Sequence, residues 1–155
     1  MMNNEEMGRF VRFMAKEFMN RYNQRYALAN ELEDTSILEN GYCFYFAYLL
    51  NTLLPDSVMI FTGKHYLLSY NQHYYDYRGE ILSANKMLFL DFYHPTPIDS
   101  LIYVTDINYD WDLASLSGIT DKGKDKFYAS IEEDLINVGR EYLEEHLNLE
   151  NMPKL

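Results

Sequence analysis

Cys43, His65 and Asp76 are the residues of this chain whose types and order fit a chemical task. A thiol, an imidazole and a carboxylate form the minimal set for acyl transfer. The thiolate attacks a carbonyl carbon, the imidazole moves the proton, and the carboxylate orients the imidazole and stabilises its cation. The thiol belongs to the only cysteine among 155 residues, in the run Asn40-Gly41-Tyr42-Cys43-Phe44-Tyr45-Phe46-Ala47. A free thiol titrates near about 8.5 and is mostly protonated at neutral pH. Two things activate it: the unpaired amides of a helix N-terminus and a neighbouring imidazole. Asn40 is a favoured N-cap type. With Asn40 as cap, Cys43 falls in the first turn of an apolar helix that runs to about Leu53. Gly41 leaves the approach to the sulfur uncrowded.

The elements that position the other two groups follow from local pattern. Lys64 to Tyr70 and His73 to Tyr77 read as the arms of a β-hairpin around Asn71-Gln72. A two-residue turn pairs Tyr70 with His73, Ser69 with Tyr74, Leu68 with Tyr75 and Leu67 with Asp76. His65 then shares a face with Asp76, one diagonal step away. A three-residue turn sends the carboxylate to the opposite face, so the site makes a sharp demand on register. Taken singly, the three residues have plainer readings. A lone cysteine in an apolar helix is commonly a small buried hydrophobe, and His65 and Asp76 each suit a surface strand. Their joint order and compatible faces are what favour chemistry.

Other candidates fit less well. His73 sits at the turn and is the second-choice base. His94 precedes Pro95 and suits a turn. Asp91 replaces Asp76 only if a third helix folds back on the site. His146 lies near the end of the last helix, where a cation complements the dipole. Single ligands on three separated elements, without a paired motif, make a poor zinc signal. No phosphate-cradling glycine loop or dinucleotide fingerprint is present, so the expectation is no metal and no cofactor.

The remaining chain reads as a frame for these parts. Phe10, Phe13, Met14, Phe18 and Tyr22 recur at helical spacing and predict an amphipathic helix from about Asn4 to Tyr26, with Glu5 and Glu6 in its first turn. Ser57 to Thr62 predicts a short strand, Ser83 to Phe92 a third helix, and Leu101 to Thr105 a weak strand. Asn108 to Thr120 reads as loop anchored by Trp111. Phe127, Ile131, Leu135, Val138, Tyr142 and Leu143 make the buried stripe of a final helix from about Asp125 to Leu147, with Gly139 a tolerated interruption. The length suits one domain, residues 1–155, of α+β class: N-terminal and central helices on a small antiparallel sheet, followed by a long C-terminal helix.

Thirteen basic against twenty-four acidic side chains give a formal net charge of −11. That field repels phosphate backbones and anionic membranes, so the expected partners exclude nucleic acid and membrane. A single cysteine cannot form an internal disulfide, no basic leader precedes an apolar run, and the longest apolar stretch falls well short of the ~20 residues of a membrane span. The expected location is cytoplasmic.

The pattern Gly-x-Cys-x-x-Phe-Ala at the head of a helix, then histidine on a strand, then Tyr-Tyr-Asp-x-x-Gly on the next, resembles papain-like and transglutaminase-like thiol enzymes. The resemblance covers roughly residues 40–80. It implies Cys43 as nucleophile, His65 as base and Asp76 as orienting acid, acting on a peptide, isopeptide or glutamine side-chain amide of a protein or peptide substrate. Papain-type enzymes carry a glutamine about six residues before the cysteine to hold the oxyanion. Here that position is Ile37, which leaves Asn40 or the Cys43 amide to substitute. The alternative reading is a non-enzymatic inhibitor or immunity-type protein whose acidic, Tyr-rich surface occupies a basic face of a partner, since Tyr gives large contact area at low entropic cost.

Overall fold

The computed structural model describes residues 2–26, 38, 42–90, 95–104 and 126–146. Within them the chain is α+β, with three α-helices and two antiparallel sheets. Helix α1, Asn4–Tyr26, follows its predicted limits. It opens on a reciprocal cap: the Glu6 amide donates to Asn3 Oδ1 at 2.9 Å, and the Asn3 amide donates to Glu6 Oε1 at 3.0 Å. Its apolar stripe of Met7, Phe10, Val11, Met14 and Phe18 is fully buried.

Helix α2, Cys43–Leu53, is apolar on nearly all sides and packs on the sheet and on the C-terminal helix. Helix α3, Lys126–His146, buries Phe127, Tyr128, Leu135 and Gly139. Gly139 is more than a tolerated interruption. A Cβ there would stand 2.5 Å from Leu53 Cδ1 and 3.3 Å from Met14 Cε, so the glycine lets all three helices approach. Arg21 reaches from α1 to Asp134 of α3 at 2.6 Å while holding Glu17 at 2.7 Å.

The main sheet comprises β1 (Val58–Phe61), β2 (Tyr66–Tyr70), β3 (His73–Asp76), β4 (Gly79–Ile81) and β8 (Ile102–Tyr103), in the order β4-β3-β2-β1-β8. The hairpin has the expected register, with Tyr70 opposite His73, Ser69 opposite Tyr74 and Leu68 opposite Tyr75. Asn71 and Gln72 both take positive φ, 50° and 67°, the mirror-image turn that matches strand twist. One face of the sheet, carrying Met59, Tyr66, Leu68, Tyr70 and Tyr75, packs on the helices. The other face buries Ile60, Leu67 and Ile81 against Leu88 and Leu101.

The second sheet corrects an expectation. The predicted helix over 83–92 is instead β5 (Ser83–Ala84) and β6 (Met87–Leu88), followed by β7 (Thr96–Pro97), paired in the order β5-β6-β7. Asn85 and Lys86, at φ 50° and 62°, form a left-handed two-residue turn that no helix accommodates. The expected strand near 101–105 is present as β8. Asp91, His94 and Trp111 lie outside the described residues. No described helix is long and apolar enough to cross a membrane.

Candidate functional site: a buried thiol, imidazole and carboxylate

Each member of the expected triad sits at the end of an element. Cys43 is the first residue of α2. The cap is Tyr42, which makes no side-chain capping bond, rather than Asn40, which lies outside the described residues. The first helical bond runs from the Phe46 amide to the Tyr42 carbonyl at 2.9 Å, so the amides of Cys43 to Tyr45 precede the intrahelical ladder. His65 comes immediately before β2. Thr62 holds its backbone: the Thr62 amide donates to the His65 carbonyl at 3.0 Å, and Thr62 Oγ1 accepts from the His65 amide at 3.1 Å. Asp76 closes β3. Because β2 and β3 are antiparallel, the start of one lies beside the end of the other.

Aromatic packing brings α2 to that same end. Phe44 meets the Tyr66 ring edge-on at 4.9 Å, and Tyr66 stacks on Phe61 at 4.6 Å. The residue after Cys43 therefore touches the residue after His65, which brings the start of α2 to the start of β2.

His65 Nε2 lies 3.2 Å from Asp76 Oδ2. The other ring nitrogen, Nδ1, is buried with no partner in good hydrogen-bond geometry. The Cys43 thiol is near enough that thiol and ring shift each other's ionisation. Catalytic contacts are commonly long without substrate and tighten in the reacting complex. Burial pushes the Cys43 thiol up, but the His65 ring, with the amides of Tyr66 and Phe44, outweighs it and leaves the thiol below its usual value. Burial disfavours the imidazolium too, yet Asp76 and Cys43 together push His65 up to about 9. Asp76 also resists burial, held below the usual carboxylate range by His65 and Arg78. The arrangement thus favours a thiolate–imidazolium pair with a carboxylate behind it.

The site is closed. Cys43 is 3% exposed, His65 9% and Asp76 3%. A surface cavity of about 70 Å³ against Tyr142 and His146, and one of about 300 Å³ beside Arg12 and Glu80, are lined by none of the three. Access from solvent to the sulfur requires the groups covering it to move.

The rival histidines among the described residues are elsewhere. His73 Nδ1 is engaged by Glu80 Oε1 at 2.8 Å and by Asn4 Nδ2 at 3.2 Å. His146 stacks on Tyr142 at 4.0 Å, with its Nδ1 donating to the Tyr142 carbonyl at 3.0 Å. Among the described residues no group of three or more His, Cys, Asp or Glu side chains is arranged to hold a metal ion.

Sequence reasoning missed Arg78. Its Nη2 lies 2.6 Å from Asp76 Oδ2, and its own amide donates to Asp76 Oδ1 at 2.9 Å. The second contact is an Asx turn, readable in Asp76-Tyr77-Arg78-Gly79 because an aspartate commonly accepts from the amide two residues on. Gly79 completes the turn at φ 107°. Compared with known proteins, the chain matches no protein-family model, no curated protein and no solved structure.

Proposed function

We propose that this chain is a thiol-dependent hydrolase or acyltransferase of papain-like or transglutaminase-like kind, acting on a peptide, isopeptide or glutamine amide. One observation carries the reading: a buried imidazole 3.2 Å from a carboxylate and near enough to the chain's single thiol for each to shift the other's ionisation. His65 takes the Cys43 proton, and the sulfur attacks the amide carbon. A carbon–sulfur bond forms and the carbonyl electrons move onto oxygen. The amides at the head of α2 are the available oxyanion donors. As the carbon–nitrogen bond breaks, the His65 imidazolium protonates the departing amine. Water or a second amine then attacks the thioester, His65 takes its proton, and the thiol is released. Asp76 orients the ring and stabilises its cation throughout.

The test is a small activated ester, p-nitrophenyl acetate, offered to the full chain. The account expects a burst of p-nitrophenolate and an acetyl group on the Cys43 peptide by mass spectrometry, both lost in His65→Ala. Absence of the adduct in the folded wild-type protein contradicts it.

A second reading is supported by the enclosed thiol. In it the chain is an acidic, Tyr-rich binding protein that covers a basic surface of a partner, and Cys43 is core. That reading predicts a salt-sensitive complex with a basic protein, unchanged by Cys43→Ala.

A further inference from the structure

A carboxylate that orients a base must stay ionised and hold one rotamer. Asp76 is buried, a setting that favours uptake of a proton. Arg78 opposes this with several contacts at once. Its Nε lies 3.2 Å from Oδ1 and 3.1 Å from Oδ2, its Nη2 donates to Oδ2, and its backbone amide donates to Oδ1. Oδ2 is thus shared between Arg78 and His65 Nε2. The remaining nitrogen, Nη1, donates to the Leu90 carbonyl at 2.9 Å, just past the last strand residue of β6. Only a planar guanidinium fork makes these bonds together; an ammonium is a point donor.

We propose that Arg78 is the positioning residue of this site, fixing the Asp76 carboxylate against the His65 ring and tying it through the Leu90 carbonyl to the second sheet. Its consequence for reactivity rests on the thiol-enzyme reading above; its effect on Asp76 does not. Among the described residues, the ionisable groups that act most on Asp76 are His65, from the head of β2, and Arg78, from the β3–β4 turn. Those that act most on His65 are Asp76 and, from the head of α2, Cys43. Removing the guanidinium removes a positive charge from this set. The carboxyl group then titrates higher, and the thiolate, less stabilised, forms at higher pH.

The experiment has two readouts. Carbon-detected NMR follows the Asp76 carboxyl titration in a Cys43→Ala background, with and without Arg78→Ala. Alkylation of Cys43 by iodoacetamide is followed against pH in the otherwise intact chain. Arg78→Ala is expected to raise the carboxyl midpoint and shift the acid limb of alkylation upward, slowing the reaction about tenfold near pH 6 for a shift of about one unit, with the alkaline plateau unchanged. Arg78→Lys, which keeps the charge and loses the fork, is expected to restore most of the carboxyl midpoint but only part of the alkylation rate. A merely structural role lowers the melting temperature and moves neither titration. An unmoved carboxyl midpoint therefore overturns the proposal. A wild-type thiol that alkylates like free cysteine contradicts the enzyme reading alone, and the carboxyl titration then decides Arg78. Should Arg78→Ala not fold, Arg78→Gln, neutral and of similar reach, is read by the same criteria.

Discussion

At the residue scale the site is held together by shared charge. Cys43 is held below its usual value and His65 is pushed up to about 9, so thiolate and imidazolium coexist between the two. Activity is expected to follow a bell. It rises as the thiol ionises and falls near pH 9, where the ring loses the proton that the leaving amine needs. A pH profile of turnover measures both limbs, and Asp76→Asn should bring the alkaline limb down by removing the anion that supports the imidazolium. The same shifts act on stability. Asp76, whose folded pKa is depressed, adds stability that is present above the ordinary ~3.9 and is lost as pH falls through its lower folded value. His65, whose folded pKa is raised, adds stability that is full below ~6.5 and is lost as pH rises through about 9. Acid titration of unfolding should therefore be shallower in Asp76→Asn than in the wild type.

At the scale of elements, the site exists because three ends meet: the start of α2, the start of β2 and the end of β3. Phe44 is fully buried against Tyr66, and Phe44→Ala should cost about 3–5 kcal/mol in denaturant unfolding and also slow alkylation of Cys43. Gln72 holds a left-handed conformation without being glycine. Gln72→Gly should stabilise the hairpin by about 0.5–1 kcal/mol, the left-handed strain relieved less the entropy a glycine loses. Much of this level was legible beforehand. The 3–4 spacing of Phe10, Phe13, Met14 and Phe18 marks α1, and Asn71-Gln72 between two alternating runs marks the hairpin. Its register, on which the approach of His65 to Asp76 depends, is open between a two- and a three-residue turn in the sequence, and the positive φ of both Asn71 and Gln72 selects the first. The short apolar run over 83–92 carries helical propensity, but two left-handed residues at 85 and 86 override it and turn the chain into a hairpin. Asn40 looked like a cap by type, yet the helix begins only at Cys43, with an aromatic residue at the cap. Arg78 escaped notice because its partners, Asp76 two residues away and Leu90 twelve residues away, are brought to it by a turn and by the docking of the second sheet, neither of which spacing alone reveals.

At the scale of the molecule, a net charge of −11 works against compaction, and the ion pairs of Arg21, with Glu17 in its own helix and with Asp134 across to α3, offset only a local part of it. Added sodium chloride should raise the melting temperature by screening that repulsion, with most of the gain below about 0.15 M, where the screening length has already fallen to about 8 Å. The single cysteine gives the whole chain one thiol to titrate, so thiolate absorbance followed against pH, with Cys43→Ala as blank, reports on the site alone. The account predicts a midpoint below the free-thiol value of about 8.5, moved upward by His65→Ala. A midpoint above that value and indifferent to His65→Ala, as expected of a solitary buried sulfhydryl, would contradict it.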